Sequence, residues 1–264
     1  MATTATHAFL RRKIYFFSDA HLGIGASESD REKEQQIVAF LDMVARDGRE
    51  LFIVGDLFDY WFEYRSVVPR GYVRLLGKLA ALVDAGIAVT YLAGNHDFWM
   101  RGYLREELGI AIHGEPIERT LAGKRFYICH GDGLDPTDRG YRFLKRVFRN
   151  KVNIGLFSLL HPDLATAIAR WSSQTSRKHT QDKPREEKSL LEFAAQRIRE
   201  GCHVVIMGHS HVPTLTPVNG GTYVNLGDWI RHCSYAVFDG KATTLHHWNA
   251  QRAPRPQTRD KRRS

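Results

Sequence analysis

KIYFFSDAHLG, residues 13–23, sets an apolar run against a polar cluster that begins at Ser18. A short run of apolar and aromatic residues bounded by turn formers reads as a strand buried on both faces. The loop that leaves it carries Asp19 and His21, two residues apart. The same device recurs in LFIVGDLFD (51–59), IAVTYLAGNHD (87–97), FYICHGD (126–132) and VVIMGHSH (204–211). Strands are expected over Lys13–Phe17, Leu51–Val54, Ile87–Leu92, Phe126–Cys129, Val204–Met207, Thr222–Val224, Tyr235–Phe238 and Thr243–His246. Helices are expected over Arg31–Arg46, where Ile37, Phe40, Leu41 and Val44 share a face, over Tyr72–Asp84 and over Glu186–Glu200. The first half reads βαβαβ and the end reads as consecutive strands. That order predicts an α/β core of packed sheets in place of one parallel Rossmann sheet.

Between Asp138 and Pro184 the strand signals stop, and helical spacing takes over, as in Tyr141, Leu144, Lys145 and Phe148. Residues 1–137 and 185–248 are therefore expected to form the core, 138–184 a helical cap inserted on one face, and 249–264 a tail. From Arg139 to Arg185 eleven Arg/Lys stand against Asp163 and Asp182 alone, and the tail has six against one Asp, within a formal net charge of +9. Nucleic acid, anionic lipid or a phosphorylated substrate would each suit such an excess, and for the tail a solvated, disordered surface is the plainer reading. The 264 residues suit one large domain, and 43% hydrophobic content is enough to build its core. No apolar run reaches the roughly 18 residues of a membrane span, and the first 13 residues hold no apolar stretch of the kind an export signal needs. Three cysteines without CxxC spacing are expected to be reduced, as in the cytosol, and to form no thiolate zinc site.

The five strand-end motifs are Ser18-Asp19-Ala20-His21, Gly55-Asp56-Leu57-Phe58-Asp59, Gly94-Asn95-His96-Asp97, His130-Gly131-Asp132 and Gly208-His209-Ser210-His211. Reactive groups of α/β sheets gather at such ends. One histidine or one Gly-Asp pair would mean little. Five of thirteen histidines placed this way, beside Asp or Asn, predict a metal centre, because so many buried imidazoles and carboxylates would otherwise each need a partner. Carboxylate, carboxamide and imidazole donors without thiolate suit Mn²⁺, Fe²⁺, Mg²⁺ or Zn²⁺.

The ordered series D-x-H, GDxxD, GNHD, HGD and GHSH, from residue 19 to residue 211, resembles the calcineurin-like metallophosphoesterase superfamily. The resemblance implies an α/β/β/α sandwich and two divalent metal ions. One would be held by Asp19, His21 and His211, the other by Asn95, His130 and His209, with Asp56 bridging them. His96 would touch the phosphate or protonate a leaving group. Two such cations lower the pKa of a bridging water and neutralise phosphoryl oxygens, so a metal-activated hydroxide is the expected nucleophile.

The segments SDAHLG, GDLFDYWFEY, GNHDFW, HGDGLDPTDRGY, MGHSHVP and NLGDW resemble bacterial UDP-2,3-diacylglucosamine diphosphatases of the lipid A pathway. That resemblance implies hydrolysis of the pyrophosphate bond to UMP and 2,3-diacylglucosamine 1-phosphate. It also implies use of Mn²⁺ and a cytoplasmic enzyme peripherally bound to the inner membrane. Asp138 and Tyr141, with Ser173, Arg177 and Lys178, become candidate substrate contacts. One position departs from the pattern: where well-known members carry Arg after the asparagine, this chain has His96, the wider superfamily's choice. A guanidinium clamps phosphate bidentately, whereas an imidazole can donate a proton. The apolar residues of the insertion, among them Leu156, Leu160, Leu164, Ile168 and Trp171, fit an acyl groove or helix packing equally. The five aromatics Phe58, Tyr60, Trp61, Phe62 and Tyr64 fit a substrate groove or the core. Competing readings are a nucleotide or nucleic-acid phosphodiesterase on the same metals, favoured by the basic residues, and a metal-bearing scaffold, which missing ligands would favour.

Overall fold

The computed structural model describes residues 12–24, 27–135, 137–169 and 183–249. Two sheets carry the fold. The first has six strands in the order β11-β10-β1-β2-β3-β4 and the second five in the order β5-β6-β7-β9-β8. In the first sheet β1 (Lys13–Phe17), β2 (Gly48–Val54), β3 (Ala88–Leu92) and β4 (Ala111–His113) run parallel, while β10 (Ser234–Phe238) and β11 (Thr243–His247) are antiparallel additions. In the second, β6 (Lys124–Ile128), β7 (Val204–Met207) and β9 (Gly221–Asn225) are parallel, flanked by β5 (Ile117–Leu121) and β8 (Thr214–Val218).

Period-two alternation explains how the sheets stack. In β1, Ile14 and Phe16 point into the layer between the sheets, where they meet Phe126, Ile206 and Phe238. Tyr15 and Phe17 point the other way, under α1 (Ser27–Asp47) and α2 (Val73–Asp84), against Phe40, Val44 and Leu79. In β7, Val204 and Ile206 face the first sheet, while Val205 and Met207 lie under Leu190, Ala194 and Ile198 of the helix Lys183–Arg199. Both faces of the central strands are buried, hence the near-continuous apolar runs. The result is the expected α/β/β/α sandwich.

Three further helices, α3 (Tyr103–Leu108), α4 (Arg139–Phe148) and α5 (Lys151–Phe157), are followed by helical residues 162–169, here α6, and α7 is Lys183–Arg199. No residue of α4 or α5 is buried. The aromatic run after Asp56 goes largely to the core: Phe58, Trp61 and Phe62 are almost fully buried, Phe58 stacks on Trp61, and Trp61 Nε1 donates to Glu63 Oε1 at 3.0 Å. The other Glu63 oxygen accepts the backbone N–H groups of Arg101 at 2.6 Å, Gly102 at 2.7 Å and Tyr103 at 3.1 Å, so it closes the start of α3. These aromatics do not alternate because they form a packed loop, with Glu63 as its polar anchor. Cys129, Cys202 and Cys233 are free thiols. No helix among the described residues is long and apolar enough to cross a membrane.

Candidate metal centre

Every motif leaves the C-terminal end of a parallel strand. Asp19 and His21 follow β1, Asp56 and Asp59 follow β2, and Asn95 and His96 follow β3. From the second sheet His130 follows β6, and His209 and His211 follow β7. Backbone bonds tie neighbouring loops together, with Asp19 N–H donating to Gly55 O at 3.1 Å and His21 N–H to Asp56 O at 2.9 Å. His209 N–H donates to Asp19 Oδ2 at 3.0 Å and joins the two sheets at the centre.

The loops are strained where the chemistry sits. Asp19, His21, Asp56, His209 and His211 all have positive φ, between 44° and 71°. Left-handed backbone costs a non-glycine residue roughly 1–2 kcal/mol. A β-carbon on Gly94 would fall 2.0 Å from Asp56 Oδ1, and one on Gly208 2.4 Å from Asp19 Oδ2, so only glycine lets these loops close on the carboxylates.

The side chains converge in three groups among the described residues, one of which, His21, Asp59 and His96, shares His21 with the first of the two that hold the predicted ligands. Asp19, His21 and His211 place one ligand atom each within 4.8 Å of one another, and so do Asp56, His130 and His209. His21 Nε2 and His211 Nε2 are 3.1 Å apart, and Asp19 Oδ1 lies 3.7 Å and 3.3 Å from them. Asp56 Oδ2 sits between the groups, 3.6 Å from His21 Nε2 and 3.3 Å from His130 Nε2. His130 Nε2 is also 3.1 Å from Asn95 Oδ1.

These contacts fit a bound cation. His130 Nδ1 lies 2.9 Å from Val54 O, an acceptor only, so that nitrogen carries the proton. Nε2 faces two oxygen acceptors, Asp56 Oδ2 and Asn95 Oδ1, so positive charge is needed there. Without a metal, burial opposes that charge but Asp56 prevails and raises the His130 pKa to about 10, and a bound cation would take the place of the Nε2 proton. Asp19 Oδ1 and Asp56 Oδ2 are buried and accept no hydrogen bond from a described residue. Two donors about 2.1 Å from one cation and at right angles to each other would stand about 3 Å apart, close to the His21–His211 spacing. Burial opposes ionisation of Asp19 and Asp56, yet the imidazoles around them prevail and hold both carboxyls below the usual range.

Further residues orient these groups. His21 Nδ1 is 3.5 Å from Asp59 Oδ1, and His211 Nδ1 is 3.8 Å from Asp228 Oδ2. His96 Nδ1 lies 3.1 Å from Asp59 O and 3.5 Å from Asp59 Oδ1, and His96 N–H donates to Asp56 Oδ1 at 2.9 Å. Burial lowers the His96 pKa and outweighs the pull of Asp56. Asp97, fully buried, accepts from Gly94 N at 2.8 Å, from Asp56 N and Phe58 N at 3.3 Å, and from the Tyr91 hydroxyl. Its pKa is pushed up to about 6 by burial and by Asp56. Asp59, Asp97 and Asp228 stand within motifs legible in the sequence, but nothing in the spacing assigns their task.

Of the candidate substrate contacts, Tyr141 comes to the centre: its hydroxyl donates to Asp132 Oδ2 at 3.0 Å, and its ring centroid is 6.5 Å from that of His209. Asp138 is exposed and caps α4, accepting Tyr141 N–H at 2.8 Å. Ser173, Arg177 and Lys178 lie outside the described residues, as do Trp171 and the tail beyond Asn249.

A sandwich with clustered carboxylate, carboxamide and imidazole groups on its strand ends is the framework of a dinuclear metallophosphoesterase. Residues 12–213 match the calcineurin-like phosphoesterase model, and the chain belongs to that family, whose members hold a dinuclear divalent-metal site. It is 36% identical over 255 residues to a UDP-2,3-diacylglucosamine hydrolase of Porphyromonas gingivalis, covering 89% of this chain and 97% of that one. Proteins of the same name from Neisseria meningitidis and Haemophilus influenzae are 32% and 30% identical, over 85% and 81% of this chain and 92% and 90% of theirs.

Proposed function

We propose that the chain hydrolyses the pyrophosphate bond of UDP-2,3-diacylglucosamine, giving UMP and 2,3-diacylglucosamine 1-phosphate. The observation that carries this reading is the near full-length similarity to hydrolases of that name, supported by the close approach of Asp19, His21 and His211 and of Asp56, His130 and His209. Asp19, His21 and His211 hold one divalent cation and Asn95, His130 and His209 the other, with Asp56 shared. Mn²⁺ suits this hard oxygen and imidazole set. When bound, the paired cations supply Lewis acidity to the phosphoryl oxygens and lower the pKa of a water. The protein's own part is to hold Asp56 by its Oδ1, through the His96 N–H, so that Oδ2 faces both groups. The His96 side chain acts on the phosphate or the leaving oxygen, and Tyr141 lies against the substrate.

Residues 138–184 serve as a cap for the acyl chains. Phe143 is 68% exposed, Val152 69%, Leu156 61% and Leu159 80%, values that core packing does not explain. Beside them Phe62, Phe98, Trp99 and Ile154 line a cavity of about 370 Å³, with Arg101, Lys151 and the backbone-bound Glu63 among its walls. An apolar hollow with a few cations suits an acylated diphosphate. The same exposed residues, flanked by the basic side chains of α4, would seat the protein on the cytoplasmic face of the inner membrane.

A buried CH₂ contributes about 0.8 kcal/mol, or about four-fold in binding, so removing both acyl chains is expected to lower kcat/KM by more than about 10². The test assays Mn²⁺-loaded protein against UDP-2,3-diacylglucosamine, its deacylated form, cyclic nucleotides and single-stranded DNA. Equal cleavage of the acylated and deacylated compounds would remove the lipid role from the cap. Preference for a cyclic nucleotide or DNA would put a phosphodiesterase in its place.

A further inference from the structure

We infer that Glu186 is a positioning residue of the metal centre, supplied by the helix that leaves the cap. Its Oε1 lies 2.9 Å from His209 Nε2, with both side chains mostly buried. A carboxylate oxygen accepts only, so Nε2 carries the proton and Nδ1 is the nitrogen left for a cation held with Asp56 and His130, the group to which His209 belongs. A ligating histidine whose second nitrogen donates to a carboxylate is fixed in tautomer and ring angle and becomes a stronger donor.

Behind the other three imidazoles stand Val54 O, 2.9 Å from His130 Nδ1, and two carboxylates at longer range, Asp59 at 3.5 Å from His21 Nδ1 and Asp228 at 3.8 Å from His211 Nδ1. Those three acceptors belong to the strand ends and loops of the core. Glu186 alone of the four belongs to α7, which begins at Lys183 where the cap returns to the core. Its neighbour Arg185 bonds the Thr137 hydroxyl and lies 3.5 Å from Asp135 Oδ2, in the loop that follows His130. From the other end of the cap, Lys145 and Tyr141 of α4 hold Asp132 at 2.6 Å and 3.0 Å. Both stems of the cap therefore grip the loops of the second cation site, and Glu186 is the grip that reaches a ligand itself.

This inference rests on His209 being a ligand of the second cation, as proposed above. The experiment measures the two stepwise Mn²⁺ dissociation constants of the full-length protein, by calorimetry and by electron paramagnetic resonance, for Glu186→Gln, Glu186→Ala and His209→Ala. Glu186→Ala is expected to weaken one of the two sites by roughly 10–100-fold and to leave the other unchanged. Glu186→Gln, which still accepts from Nε2–H, should recover part of the loss, and saturating Mn²⁺ should restore turnover in both. Wild-type affinities at both sites in both variants would overturn the inference and leave Glu186 a counter-ion of the metal-free protein. An equal loss at both sites would also overturn it, as would a raised KM with both affinities intact, which would assign Glu186 to the substrate. His209→Ala separates the two readings: if it keeps both affinities, the ligand assignment itself fails.

Discussion

Replacing Asp56 with alanine is expected to cost the protein its paired cations and to lower turnover by more than about 10³-fold. Oδ2 of this residue lies 3.6 Å from His21 Nε2 and 3.3 Å from His130 Nε2, so it is the group common to both halves of the centre. Its loss removes both the relative placement of the cations and the charge that holds them, and positioning and electrostatic stabilisation are the two largest sources of rate in such chemistry. The fold itself is expected to survive. Asp56 and Asp97 are buried close together, and Asp56 helps push the Asp97 pKa up to about 6, so in metal-free protein the second carboxylate is a repulsive neighbour. Metal analysis and steady-state kinetics on Asp56→Ala check both halves of the expectation. Near-normal turnover with two bound cations would reject the shared role.

His96→Ala should behave in the opposite way, keeping both metals while losing rate. The ring is held by Asp59, through O at 3.1 Å and Oδ1 at 3.5 Å, and its backbone N–H already serves Asp56. Alanine keeps that N–H, so the ligand loop should stay in place. What goes is the imidazole proposed to act on the phosphate, and removal of a general acid–base group lowers kcat by roughly 10²–10⁴-fold. His96→Arg is the informative companion. A guanidinium can clamp phosphate but cannot give up its proton, so recovery of KM without kcat would assign proton transfer to His96, whereas recovery of both would assign phosphate binding. Loss of a cation in His96→Ala with the rate spared would reverse the roles of Asn95 and His96.

The central strands were legible because burial on both faces writes them as unbroken apolar runs. Lys13–Phe17 and Val204–Met207 agree with the structure at both ends. The three strands missed, Ala111–His113, Ile117–Leu121 and Thr214–Val218, all lie at sheet edges. Edge strands carry charges or proline where one side meets solvent, as Glu118, Arg119 and Pro217 do here, and so lose the apolar pattern. The metal motifs could be read because each follows its strand within a few residues. Asp59 and Asp228 lay in plain view within GDLFD and NLGDW, but orientation of an imidazole from behind is a matter of angle and distance, which spacing does not encode. Glu186 had no such signal. It sits in a charged first turn like many others, and only the return of the chain from the cap brings it to His209.

The most direct test of the dinuclear centre is a titration of metal-free protein with Mn²⁺ while release of UMP from UDP-2,3-diacylglucosamine is followed. The proposed sharing of Asp56 between the two ligand groups predicts that turnover rises only as the second equivalent binds, and that a chelator abolishes it reversibly. Full turnover with one equivalent bound, or in the presence of the chelator, would contradict the account.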